Sequence, residues 1–202
     1  METKFVTWQD LDLLVEALNK NQVISFPTET VYGLGIIYDS KPALQAMKWA
    51  KKRPENKPFT LMVSDPKMIK EFAIVKEQDQ KIISALMPGP ITLILKRQES
   101  IDPAITNGYE TIGVRCPDDV NVRTLIQACG KPLLVPSANI SGQPPAKSSD
   151  EVYENMNGRL SLIVKGQCGS GLASTIVDLT GPEPKILRQG KITLEKIKEV
   201  LS

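Results

Sequence analysis

Apolar positions in this chain recur at two spacings, one typical of helices and one of strands. The first helical face comprises Leu11, Leu14, Val15 and Leu18. Thr7 and Asp10 precede that face and resemble a capping box. The short apolar run 23–26 then ends at Pro27, which is typical of a buried strand followed by a loop. The chain therefore opens with an amphipathic helix and a strand.

The same patterns predict the remaining elements. Strands are expected at 23–26, 33–37, 59–63, 91–95, 111–115, 133–137, 162–164, 175–179 and 185–188. Further helices are expected from Ser40 and Pro42 to Pro54, and at 79–87, 120–128, 149–157 and 193–201. Strands and helices interleave, but several connections are too long for a regular doubly wound fold. We expect an α/β domain with a twisted, mixed or mostly antiparallel open sheet flanked by helices.

Composition limits the domain count and the class of protein. A length of 202 residues with 41% hydrophobic residues suits one sizeable core, so we expect one domain over 1–202. The 25 Lys and Arg against 23 Asp and Glu give a net charge of +2, which argues against a polybasic nucleic-acid coat. Cys116, Cys129 and Cys168 are far apart and no histidine is present, so a zinc site is not expected. The polar first ten residues do not fit a signal peptide, which favours a cytoplasmic location.

Three polar motifs stand beside predicted strand or helix ends. They are Pro27-Thr-Glu-Thr-Val-Tyr-Gly-Leu-Gly35, Lys51-Lys-Arg-Pro54 and Pro136-Ser-Ala-Asn-Ile-Ser-Gly142. Ligands of open α/β sheets bind beyond strand ends, so these motifs predict an anion-handling site. Because histidine is absent, its chemistry must use ammonium, guanidinium, hydroxyl, amide and metal-bound groups.

Each motif also has a structural interpretation. The hydroxyls of Thr28 and Thr30 could satisfy backbone groups of a turn, and Lys51 with Arg53 could complement the negative end of a helix dipole. Arg115 and Arg188 favour the ligand interpretation, because a guanidinium at a strand end suits a carboxylate or phosphate.

Ser137 is interpreted as a hydrogen-bond donor. No histidine can activate it as a nucleophile, and the Gly-x-Ser-x-Gly elbow of esterases is absent. Neither a phosphate-binding Gly-x-x-x-x-Gly-Lys loop nor a complete dinucleotide fingerprint occurs in the chain. Any nucleotide would therefore be held by Lys and Arg side chains and a metal.

Taken together, these motifs resemble those of the YrdC/Sua5 (TsaC) family. The resemblance also includes Pro88-Gly-Pro-x-Thr92, Gly113-Val-Arg115, Ser174-Thr-Ile-Val-Asp178 and Arg188-x-Gly190. It implies a threonylcarbamoyl-AMP synthase, which forms threonylcarbamoyl-AMP and pyrophosphate from L-threonine, bicarbonate and ATP with Mg2+. Downstream proteins would pass the threonylcarbamoyl group to tRNA. The chain length corresponds to the single-domain form, so no additional C-terminal domain is expected.

The resemblance also implies residue roles. The central catalytic set would be Lys51, Arg53, Ser137 and Asn139. Contacts to ATP would come from Arg53, Lys57, Thr111, Ser137, Pro145 and Arg188. Contacts to threonine would come from Thr30, Arg115, Val135 and Ser174, with Thr28 a weaker candidate beside Thr30. No metal-ligating residue is assigned.

One departure from the family pattern and two alternative functions remain. Met62 stands where many members have a histidine, which affects one expected threonine contact. The chain could instead be a module of the same fold that binds double-stranded RNA or tRNA, although aromatic residues are only 5% of it. It could also be a related carbamoyl-adenylate enzyme with another substrate; Ser137 and Asn139 favour the threonine enzyme.

Overall fold

The computed structural model describes residues 2–54 and 58–202. Within these ranges the strands are β1 (Lys4–Val6), β2 (Ile24–Phe26), β3 (Gly33–Ile37), β4 (Thr60–Met62), β5 (Ile91–Lys96), β6 (Thr111–Arg115), β7 (Leu133–Leu134), β8 (Leu162–Val164), β9 (Thr175–Asp178) and β10 (Lys185–Arg188). The α-helices are α1 (Leu11–Asn19), α2 (Lys41–Lys51), α3 (Ile69–Phe72), α4 (Glu77–Leu86), α5 (Val120–Cys129), α6 (Ser149–Met156) and α7 (Leu194–Leu201). None of the described helices is both long enough and apolar enough to cross a membrane.

The strands form one mixed sheet in the order β1-β8-β2-β3-β7-β4-β6-β5-β9-β10. Parallel pairs join β8 to both β1 and β2, β4 to β6, and β5 to β9. The other neighbouring pairs are antiparallel. The predicted fold class, a mixed open α/β sheet flanked by helices, is confirmed.

One half of the sheet, which we call the covered half, consists of β8, β2, β3 and β7 and carries apolar clusters on both faces. Leu34 and Leu134 belong to the larger cluster, which also contains the buried residues of α2, α3, α4, α6 and α7. Phe26 and Leu133 belong to the second cluster, together with the buried residues of α1 and α5. These strands are therefore apolar almost throughout, as expected when helices cover both faces.

The open half, β4, β6, β5 and β9, packs against the larger cluster on one face, and on its other face Met62 belongs to the second cluster. The strand residues that point into the larger cluster are Leu61, Ile91, Leu93, Leu95, Ile112, Val114 and Val177. Their strand neighbours point the other way and line a cleft; these are Thr60, Met62, Thr92, Arg115 and Ile176. Successive side chains of a strand alternate between faces, so these short strands build a core and a polar floor at once.

The predicted elements are all present, with small differences at their ends. The largest difference is at 133–137, where the strand stops at Leu134 and only an isolated bridge pairs Ser137 with Gly33. Two short elements were not predicted, β1 and α3. β1 is a strand only because Lys4–Val6 pairs with 162–164, far along the chain. A segment of three residues is too short for its hydrophobic pattern to predict such a partner strand.

Candidate functional site

A cleft of about 210 Å³ lies over the open half of the sheet. Its walls come from the loop between β2 and β3, the end of α2, the segment after β7, and the residues before β9 and at the end of β10. Sequence-predicted residues that line it are Thr28, Thr30, Arg53, Met62, Arg115, Val135, Ser137, Ser174 and Arg188. The tertiary structure thus brings together side chains from across the whole sequence.

One end of the cleft contains the buried guanidinium of Arg115, at the end of β6. Its Nη2 donates to Thr30 Oγ1 at 2.9 Å and pairs with Glu29 Oε1 at 2.7 Å. Thr30 is held in turn by Thr28, whose Oγ1 lies 2.9 Å from the Thr30 hydroxyl and donates to the carbonyl of Val31. The Thr28 and Thr30 hydroxyls therefore do bond locally, but the same bonds fix a cation at the cleft.

A second guanidinium, that of Arg188, approaches from β10. Its Nε donates to the Ser174 carbonyl at 3.0 Å and its Nη2 to Ser174 Oγ at 3.1 Å. The Ser174 hydroxyl is also 2.9 Å from Thr92 Oγ1 on β5. Partial burial, and then the charge of Arg115, lower the pKa of Arg188 from its usual value. The two arginines are close enough to repel each other, which suits a site that receives more than one anionic group.

Arg53 reaches the cleft from the turn that follows α2. The helix ends at Lys51, and the next residue, Lys52, has a φ of 47° in the left-handed region. The Arg53 Nη2 donates to the carbonyl of Pro58 at 2.7 Å, and its guanidinium carbon lies 4.5 Å from the centroid of the Phe59 ring. Burial lowers the pKa of Arg53. Because arginine remains protonated despite such a shift, Arg53 presents a fixed positive charge.

Lys51 has a different position from the one that the sequence suggests. Its side chain is buried and does not line the described part of the cleft. Nζ donates to the carbonyls of Ser137 and Asn139 at 2.5 and 2.8 Å. Burial, and then the charge of Arg53, lower the pKa of Lys51 to about 7. In this structure Lys51 holds the 137–139 segment rather than facing a ligand.

The Ser137 hydroxyl and the Asn139 amide form a compact network. Ser137 Oγ donates to Asn139 Oδ1 at 2.6 Å, and Asn139 Nδ2 donates to the carbonyls of Ile140 and Gln143 at 2.9 Å each. The Ala138 N–H donates to the carbonyl of Tyr32 at 2.7 Å. Ser137 lines the cleft, whereas Asn139 fixes the orientation of its hydroxyl. The Ser137 hydroxyl therefore acts as a hydrogen-bond donor in this network.

The other predicted residues lie outside the cleft lining. Thr111 begins β6 and shares a strand face with Gly113 and Arg115, so it continues the row that forms the cleft floor. Pro145 is half-buried in the segment before Ala146, whose carbonyl accepts from the Tyr32 N–H. Lys57 lies outside the described residues.

Sequence reasoning assigned no role to three residues at the cleft. Thr60 and Thr92 line its floor, and Glu29 pairs with Arg115 behind it. Thr60 and Thr92 alternate with buried apolar residues, a pattern that marks a strand face turned away from the core. Nothing in the sequence indicates that Glu29 meets Arg115, because 85 positions separate Arg115 from the adjacent Thr30.

Metal coordination can be considered from the same side chains. The described residues contain no cluster of three or more Asp, Glu, Cys or His that could hold a metal ion. The carboxylate nearest the cleft, Glu29, already pairs with Arg115. Mg2+ commonly binds through substrate phosphates and a small number of protein oxygens. The residues at the cleft therefore fit a metal that arrives with a phosphorylated ligand.

Comparisons with known proteins agree with the fold and the motifs. The Sua5/YciO/YrdC family, described as "Telomere recombination", matches residues 16–190. The threonylcarbamoyl-AMP synthase of Bacillus subtilis is 35% identical over 91% of this chain and 54% of its own length. The threonylcarbamoyl-AMP synthase of Vibrio campbellii is 34% identical over 90% of this chain and 100% of its own length.

Among solved structures, Pyrococcus abyssi Sua5 complexed with L-threonine superposes with a TM-score of 0.92 and 31% identity. That match covers 99% of this chain and 59% of the Sua5 chain. The chain thus spans little more than half of the longer relatives and the whole length of a shorter one. The chain belongs to the Sua5/YciO/YrdC family, as its motifs had indicated.

Proposed function

We propose that this chain is a threonylcarbamoyl-AMP synthase, an enzyme that makes threonylcarbamoyl-AMP and pyrophosphate from L-threonine, bicarbonate and ATP. The observation that carries the proposal is a cleft in which Arg53, Arg115 and Arg188 converge with the hydroxyls of Thr30 and Ser174. The names of the relatives and the threonine bound to Pyrococcus abyssi Sua5 support the same substrate.

The reaction needs positioning more than covalent chemistry. The threonine amine attacks the carbon of bicarbonate and gives up a proton, and one bicarbonate oxygen leaves as water, which gives a carbamate. A carbamate oxygen then attacks the α-phosphorus of ATP, the bond from that phosphorus to the bridging oxygen breaks, and pyrophosphate leaves. Both steps bring anions together, so the principal contribution of the protein is fixed positive charge and orientation.

The geometry suggests how the substrates are arranged. Arg115 and Thr30 would bind the threonine carboxylate and Ser174 would bind near them, since Arg115 is the most buried guanidinium of the cleft. Arg53 and Arg188 would face the phosphates and the carbamate. Ser137, oriented by Asn139 and held by Lys51, would position the nucleotide. We also propose that Val135 contacts threonine and that ATP is contacted by Thr111, Pro145 and Lys57.

Mg2+ would enter with ATP and reduce the charge of its phosphates. The product would pass to proteins that modify tRNA, and the three free thiols of Cys116, Cys129 and Cys168 suit a reducing cytoplasm.

The direct test is pyrophosphate release by the purified protein. With ATP and Mg2+ present, threonine and bicarbonate are each omitted in turn, and chelation of the metal forms a further arm. Release that requires both threonine and bicarbonate supports the synthase. Release that requires neither, or no release by folded protein, would contradict it.

A further inference from the structure

Glu29 carries a carboxylate that the proposed reaction leaves without a role. Its side chain is 18% exposed and that of Arg115 is 6% exposed. Every other ion pair within residues 2–54 and 58–202 has at least one side chain that is 37% exposed or more. Buried charges require a partner, and an arrangement with both partners largely buried is costly to leave incomplete.

The hydrogen bonds around Glu29 and Arg115 fix the orientation of both side chains. Glu29 Oε1 accepts from Arg115 and also from the Asp118 N–H at 2.9 Å, so the carboxylate is tied to the loop between β6 and α5. Arg115 Nη2 uses its two hydrogens on Glu29 and Thr30. A guanidinium has five N–H donors. The Nε of Arg115 is buried without a partner, so the two hydrogens on Nη1 are left for a ligand.

The backbone around Glu29 is also held in place. Segment 169–171 donates three backbone hydrogen bonds of 2.8 to 2.9 Å to the carbonyls of Thr28, Glu29 and Thr30. A Cβ on Gly169 would come within 2.5 Å of the Glu29 carbonyl oxygen, so this close approach requires glycine. Segment 169–171 therefore holds the loop that carries Glu29, which restricts movement of the Glu29 carboxylate if the Arg115 side chain moves.

Charge explains why such an anchor is needed. Arg115 lies close enough to Arg188 for its charge to lower the pKa of Arg188, and both face a cleft that also contains Arg53. A guanidinium without a counter-charge at this position would be pushed by Arg188 and drawn toward any phosphate that entered the cleft.

We propose that Glu29 is a positioning residue which keeps Arg115 for the amino-acid carboxylate and separates that subsite from the phosphate-binding one. This inference rests on the proposed function. Glu29 does not contact substrate, because its Oε2 is buried and Glu29 is not part of the cleft lining. It acts through Arg115, and so it sets selectivity for a carboxylate-bearing ligand.

The test measures binding of three probes by calorimetry, without turnover. They are L-threonine, L-threoninol, which lacks the carboxylate, and a non-hydrolysable ATP analogue with Mg2+. The proteins are wild type, Glu29→Gln, the milder Glu29→Asp, and the control Glu110→Gln, whose exposed carboxylate pairs with Arg97 away from the cleft. Thermal denaturation confirms that each variant is folded.

Glu29→Gln should weaken threonine binding by about 10- to 100-fold, the scale of one lost charge-assisted hydrogen bond. The preference for threonine over threoninol should fall by a similar factor, while binding of the ATP analogue changes by less than about threefold. Glu29→Asp should recover part of the preference, and Glu110→Gln should match wild type.

Two results would contradict this inference without contradicting the proposed function. One is a Glu29→Gln protein that keeps the threonine preference of wild type, and the other is an equal loss for all three probes. Wild-type protein that binds the ATP analogue but no threonine would contradict the proposed function, and this inference with it. If Glu29→Gln did not fold, Glu29→Asp would decide by the same ratio of threonine to threoninol affinity.

Discussion

The covered half and the open half of the sheet differ in the face that points away from the larger apolar cluster. In the covered half, α1 and α5 bury that face in the cluster of Phe26, Leu133 and Leu162. In the open half the same face carries Thr60, Thr92 and Arg115, and none of the residues that line the cleft there belongs to a described helix. The comparison teaches that the site is the part of an otherwise two-sided sheet where the second helix layer stops.

Stability and chemistry are therefore separated along one sheet. The covered half buries apolar area on both faces, which is the dominant favourable contribution to folding. The open half buries only one face and uses the other for charged and hydroxyl groups. Changes in the open face that leave the buried Glu29–Arg115 pair intact should alter activity with little effect on folding, and changes in the covered half should do the reverse.

The largest expected effect in the open half is that of Arg53→Ala. Removal of a fixed cation that stabilises developing charge should lower the rate of adenylate formation by about 10²- to 10³-fold. Circular dichroism and the melting temperature should remain close to wild type, since Arg53 lies in the turn after α2 and lines the cleft rather than the apolar core. Pyrophosphate release measures the loss. Arg159→Ala, which removes an arginine that packs on Trp49, is the control, and near-normal turnover of Arg53→Ala would exclude Arg53 from the site.

Arg115→Ala should affect one substrate more than the other. We expect the threonine requirement to rise by about 100-fold and the ATP requirement by less than about threefold, because a carboxylate partner is lost. Steady-state kinetics with each substrate varied in turn would measure the difference. An unchanged threonine dependence would contradict the assignment of Arg115.

Two glycine substitutions compare the halves directly. A Cβ on Gly35, in the covered half, would lie 2.5 Å from the Phe26 ring, whereas a Cβ on Gly113, in the open half, meets its nearest atom at 3.2 Å, on the flexible end of Ile94. Gly35→Val should lower the free energy of unfolding by about 1–3 kcal/mol through overpacking. Gly113→Val should stay folded but fill the cleft floor beside Thr60 and Thr92 and block substrate binding.

Denaturant unfolding and binding of the ATP analogue, measured on both glycine variants, test this pair of expectations. If Gly113→Val lost stability and Gly35→Val lost only binding, the division between the halves would be wrong.

The last effect concerns Lys51 and pH. Its native pKa of about 7 lies below the model-compound value of 10.5, so between these values the unfolded chain binds the proton that the native protein has released. Stability due to Lys51 is therefore lowest below about pH 7 and rises with pH toward 10.5, by up to about 1.4 kcal/mol per pH unit. Urea unfolding of wild type and Lys51→Met at pH 6 to 9 would measure it. A difference between the two proteins that does not change with pH would disprove the shift.

The sequence by itself determined every strand except β1, the main helices, and the cations Arg53, Arg115 and Arg188 that line the cleft. Alternating residues such as Thr60-Leu61-Met62 and Thr111 to Arg115 show both a core face and a polar face, because successive strand residues point in opposite directions. Thr30 and Ser174 are identified through the family motifs that contain them, and Ser137 also because it follows the apolar run 133–135. These features are local, so they can be recognised without knowing which distant segment each element packs against.

Only the tertiary structure decided which charged groups meet. Lys51 and Arg53 are two positions apart, yet one is buried against the carbonyls of 137 and 139 and the other lines the cleft. Glu29 meets Arg115 because the loop between β2 and β3 lines the same cleft as Arg115 of β6, although the two are distant in sequence. Burial and pairing over such separations depend on strand order and helix coverage, and the spacing of residues along the chain contains neither.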